Sequence, residues 1–207
     1  MLRISYSLGI IGDTKNEAKN NIRTNTNSTN CMAVSPISLG ADMDLVFAID
    51  PGPEKSGYCI FDPEAFKVIE FGEPNNIDLK EKVRNYTGKF AIETIVSYGM
   101  AVGKTTFRTC FFIGQLQQMI IDKGCEYEMI SRQDVKLNLC FSARAKDTNV
   151  NQAVRDLFPA SGRNGKGEPC VKGTKKYQGP LYGFANHAYS ALAIALTSAG
   201  IDGMGDA

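Results

Sequence analysis

The 207-residue chain has a single histidine, His187, and its six cysteines (Cys31, Cys59, Cys110, Cys125, Cys140 and Cys170) contain no CxxC pair. That spacing excludes the clustered Cys/His sets that hold structural zinc and leaves the cysteines as buried or idle cytosolic thiols. No window offers the roughly 18 uninterrupted apolar residues of a helical bilayer crossing. The nearest, residues 184–201, carries Asn186 and His187 in its first turn. The N-terminus has one arginine and an apolar patch broken by Ser5 and Ser7, with no cleavage-site pattern behind it. The expectation is a cytoplasmic protein without a membrane partner. Net charge is scarce too: 23 basic against 22 acidic residues leave +1, which gives no bulk attraction to a polyanion.

What is present is a composition that can build a core, with 43% hydrophobic and 22% charged residues in a length suited to one domain. Residues 13–42 are dominated by Asn, Thr and Ser without periodicity, so 1–42 reads as a flexible leader and 43–207 as the domain. Met43 stands directly before the first strong strand, and a native start at Met43 would account for the leader. Within the domain the charges separate. Residues 43–81 carry three basic and nine acidic residues, whereas 132–176 carry ten basic and four acidic.

Apolar runs bounded by turn residues predict five strands: 45–50, 58–62, 67–72, 89–94 and 125–131. The first three are joined too tightly for a crossover helix and form an antiparallel meander. Phe107, Cys110, Phe111, Gly114, Leu116, Met119 and Ile120 recur at helical spacing over 105–123. A second helix follows Asp147, read as an N-cap, and Pro159 closes it; an alanine-rich third covers 184–199. Between these two helices lies a basic, glycine-rich stretch long enough to be functional. Three antiparallel strands followed by alternating helices and strands make a mixed-sheet α/β domain.

Two strands end in carboxylates after almost wholly apolar runs, LVFAI before Asp50 and FAI before Glu93. Carboxylates in such surroundings need a partner, a hydrogen bond or a metal. His187 and Ser190, three apart, share one face in the polar first turn of the last helix.

The segments DPGPEKSGYCIFD, AIET with YGMAVGKTTF behind it, RAKDTNVNQAV and GPLYGFANHAYSALAIAL, in this order, resemble RuvC-like Holliday junction resolvases, particularly the phage and prophage branch. The resemblance covers about residues 44–197 and implies an RNase H-like fold: a five-stranded mixed sheet, three strands antiparallel and the rest parallel, flanked by helices. It further implies a homodimeric, metal-dependent endodeoxyribonuclease that cleaves four-way DNA junctions in recombination, repair or phage DNA processing. Its cofactor would be Mg²⁺ or Mn²⁺, two ions per site. By position Asp50, Glu93 and His187 would be the catalytic metal ligands. Ser190 stands where many members have a carboxylate and can serve only through a metal-bound water. Asp147 is either a compensating ligand or simply an N-cap. Fewer carboxylates and an imidazole favour Mn²⁺ over Mg²⁺. DNA contacts would come from Lys104, Arg108, Arg132, Lys136, Arg144, Lys146, Lys172, Lys175 and Lys176, with Arg163 and Lys166 in the same basic stretch. The helix carrying Phe107, Phe111 and Phe112 resembles the dimer-forming region. Two other readings stand beside this one. A relative that binds branched DNA without cutting it would explain Ser190. AIDPGPEKSG also resembles the first phosphate loop of actin-like and sugar-kinase ATPases, which need a second such domain.

Overall fold

A computed structural model describes residues 45–203 apart from Tyr98 and Met100. The leader expected over 1–42 lies outside the described residues. Five strands form one sheet: β1 (Val46–Asp50), β2 (Gly57–Asp62), β3 (Lys67–Gly72), β4 (Lys89–Thr94) and β5 (Tyr127–Ser131), in the order β3-β2-β1-β4-β5. The meander β1-β2-β3 is antiparallel, and β1, β4 and β5 run parallel. The expected strands and mixed topology are present.

Because side chains alternate along a strand, β1 and β4 feed two cores. Phe47 and Ile49, with Phe90 and Ile92, face α1 (Asn76–Asn85) and α2 (Lys104–Asp122). Val46, Ala48 and Ala91 face α3 (Arg132–Cys140), α4 (Asp147–Asp156) and α5 (Asn186–Ser198). The next residue of Ala48's parity is Asp50, and the next of Ala91's is Glu93. Both carboxylates therefore emerge on the α5 face. Alanines in α5 let it lie close to the sheet, with Ala188, Ala191, Ala193 and Ala195 all buried.

Two helices had no counterpart in the sequence reading. The first, α1, buries only Leu79 and Val83 in a polar stretch and starts on Asn75, whose side chain accepts from the Ile77 and Asp78 N–H groups. The second, α3, follows β5 with no intervening turn and is started by a capping box between Ser131 and Asp134. Two other expectations are corrected. The N-cap of α4 is Lys146, with Asp147 the first helical residue. In α2 the inward stripe is Thr109, Phe112, Ile113, Leu116 and Ile120, while Phe107, Cys110 and Phe111 face outward. Thr109 is tolerated inside because its hydroxyl donates to the Thr105 carbonyl. The glycine-rich stretch holds a short hairpin, β6 (Gly162–Arg163) and β7 (Pro169–Cys170). The five cysteines among the described residues are free thiols; Cys59 is fully buried, which pushes its thiol pKa up and leaves it inert.

Two phenols tie the edges of this frame. The Tyr58 hydroxyl donates to Glu70 at 2.7 Å, and that of Tyr86 to the Leu45 carbonyl at 2.6 Å. Burial pushes both up to about 12. A group raised above its unfolded value near 10 contributes stability that is complete below pH 10 and lost as pH rises towards 12. Unfolding free energy is expected to fall between pH 10 and 12 by at most about 1.4 kcal/mol per pH unit for the buried Tyr58, and by less for the half-buried Tyr86, which solvent screens. Denaturant titrations at pH 9 to 12 check this, and Tyr58→Phe should remove part of the slope.

Candidate active site

In the parallel β1/β4 pair Ile49 lies opposite Ile92, so Asp50 and Glu93 leave adjacent strand ends side by side. Asp50 is 13% exposed, and its carboxyl is near enough to that of Glu93 to act on its protonation. Burial holds the Glu93 carboxyl well above the ordinary carboxylate range; the hydrogen bond and charge of Asp50 push the same way, and Arg132 opposes them. The third predicted residue arrives on α5: His187 Nδ1 lies 3.1 Å from Asp50 Oδ2. Ser190 sits one turn further along α5 and is half-buried.

The placement of His187 depends on Gly57, whose sequence context suggests a turn but which lies in β2, and on Glu73, which no sequence pattern marks. Gly57 pairs with Asp50 across the β1/β2 ladder, and paired residues share a face. A Cβ at Gly57 would stand 2.3 Å from the His187 carbonyl oxygen, so only glycine lets the end of α5 come this near. Glu73, in the loop after β3, reaches the same helix end and accepts from the N–H groups of His187 at 2.8 Å and Ala188 at 3.3 Å. The N-cap residue Ala185 has no capping side chain, so Glu73 supplies both the acceptor and the negative charge that a helix N-terminus favours. The β1–β2 turn is fixed separately. The buried Ser56 hydroxyl accepts from the Gly52 N–H and donates to Asn76, which donates back to the Gly52 carbonyl.

Asp147 is held as a counter-ion. Arg132 Nε and Nη2 donate to its Oδ1 at 3.2 and 2.8 Å, and Lys136 Nζ is 3.8 Å away. These bonds hold its carboxyl below the usual range. Arg132 and Lys136, expected to meet DNA, both pair with Asp147. Lys104, Arg144, Lys146, Lys172, Lys175 and Lys176 are exposed, and Arg108 is exposed but pairs with Glu54 at 3.2 Å.

Two carboxylates side by side are the donor chemistry of a hard divalent cation, whose charge would relieve their mutual repulsion. The imidazole meets Asp50 rather than joining both carboxylates, and among the described residues no three His, Cys, Asp or Glu side chains are grouped to hold a metal. The residues fit one cation shared by Asp50 and Glu93 and completed by water or substrate; they do not assemble the donors of a second.

Gly57→Ala tests the close approach. It should displace the end of α5, lengthen the His187–Asp50 contact and destabilise the fold by about 1–3 kcal/mol, as overpacking against backbone does. Chemical denaturation and a structure of the variant check this, and an unmoved His187 would refute the constraint.

Neither a scan against protein-family models nor a search of the curated proteins returns a match. Solved structures do. The chain is similar to the Thermus thermophilus RuvC structure with a TM-score of 0.54 and 19% identity over 75% of this chain and 93% of that one. It is also similar to T. thermophilus RuvC in complex with a Holliday junction substrate, with a TM-score of 0.53 and 16% identity over 75% and 92% of the two chains. At these identities the likeness is one of architecture, and the chain has a RuvC-like, RNase H-like fold.

Proposed function

We propose that the chain is a metal-dependent, structure-selective endodeoxyribonuclease that binds and resolves four-way DNA junctions, in recombination and repair or in phage DNA processing. The observation that carries this reading is the pair Asp50 and Glu93, side by side at adjacent strand ends on the face that α5 covers, with His187 against Asp50. The fold shared with a protein solved on a Holliday junction supports the choice of substrate. A bound divalent cation would supply an activated water and neutralise charge on the phosphate. Asp50 and Glu93 would hold it, His187 would orient Asp50 from the other side, and Ser190 would act through water. Exposed Lys172, Lys175 and Lys176, with Arg144 and Lys146, supply the phosphate contacts.

With Mg²⁺ or Mn²⁺ the protein is expected to cut a synthetic four-way junction, and chelation of the metal should stop it. Asp50→Asn should abolish cutting yet retain binding, and binding should weaken steeply from about 50 to 200 mM salt. Junction binding without cutting in any metal would favour the alternative, a branched-DNA-binding module, to which Ser190 and the missing third donor point.

The reading includes a homodimer, since two symmetric cuts suit two copies. Its support is the outer face of α2, where Phe107 and Phe111 are 55% and 73% exposed one turn apart. Phe111→Asp is expected to halve the mass seen by light scattering. An unchanged mass would place any interface elsewhere.

A further inference from the structure

Arg132 is a guanidinium set beside two carboxylates that themselves call for a cation. It is the first residue of α3, and Ser131 before it pairs with Thr94, so it stands at the end of β4 next to Glu93. Two of its nitrogens are tethered to Asp147, whereas Nη1 is buried with no hydrogen-bond partner. A buried charged donor left unpaired is costly, and native structures keep such groups where something else completes them. Arg132 lines a cleft of about 260 Å³ with Pro51, Glu93, Thr94, Ile95 and Val96. The side chains of Pro51, Ile95 and Val96 in this lining are apolar. An incoming anion would find in this cleft the one feature that attracts it.

We propose that Arg132 is a built-in cation of the active centre: held by Asp147, it sets its guanidinium charge beside the DNA phosphate at the cut, and neutralises charge where a two-ion centre would use its second metal. The assignment rests on the nuclease reading and deepens it. The donor set fits one ion, Ser190 contributes no carboxylate for another, and a guanidinium brings positive charge that needs no ligands. Arginine suits the role because it is always protonated, and its planar fork can bind a carboxylate on one edge and a phosphate oxygen on the other.

The test uses the full chain, Arg132→Gln, Arg132→Lys and Asp147→Asn, with folding checked by circular dichroism. Mn²⁺ titration followed by electron paramagnetic resonance counts bound ions without turnover. One ion per chain is expected throughout, and two in the unaltered protein would overturn the proposal. Single-turnover cleavage of a four-way junction then separates the roles. Arg132→Gln should slow cutting about 100-fold, the scale of losing one charge-stabilising donor, while the junction Kd changes less than about threefold. Arg132→Lys should recover part of the rate, and Asp147→Asn, which frees the guanidinium, should fall between. A loss confined to Kd, or none, overturns the assignment while leaving the nuclease reading intact. An unaltered protein that cuts no junction overturns both.

Discussion

The shared parity of β1 and β4 is the constraint from which the candidate site follows. Once Phe47, Ile49, Phe90 and Ile92 turn to the α1/α2 face, Ala48 and Ala91 must turn to the other, and the carboxylates two residues on must follow them. The parallel register sets these carboxylates side by side. Moving either strand by one residue would bury Asp50 or Glu93 in an apolar core, a cost that a small domain does not carry. The apolar core therefore enforces the polar site.

Placement of the remaining groups is a matter of backbone rather than side-chain chemistry. Gly57 removes a Cβ where α5 meets the sheet, and Glu73 grips the exposed N–H groups of that helix. The result is an imidazole carried by a helix anchored at its first turn. On the opposite flank Asp147 does the same for Arg132. Both tethers are carboxylates outside the Asp50–Glu93 pair, so this end of the sheet contains two kinds of acid, one to bind and one to hold.

Much of this was legible in the sequence. The five strands declared themselves as apolar runs between turns, and Asp50 and Glu93 as charges closing such runs. The helices α1 and α3 were not legible, because each buries only two residues, Leu79 and Val83 or Val135 and Leu139, and periodicity needs more than one repeat. Glu73 was hidden for another reason: its partners are backbone N–H groups 114 residues away, and no side-chain pattern encodes them. Arg132 was read as one cation in a basic stretch. Its distinction lies in the tether and the cleft, which depend on an unrecognised helix start.

One feature of α5 bears on how the molecule is made. This helix is the last of the described elements; it contributes Tyr189, Leu192, Ile194 and Leu196 to one core and brings His187 to Asp50. A nascent chain that has not yet released it exposes the inner face of β1, β2 and β4 and has only part of the site. Folding and assembly of the site are thus completed together once α5 has joined the sheet, so a fragment ending before α5 would have neither a closed core nor an intact acidic centre.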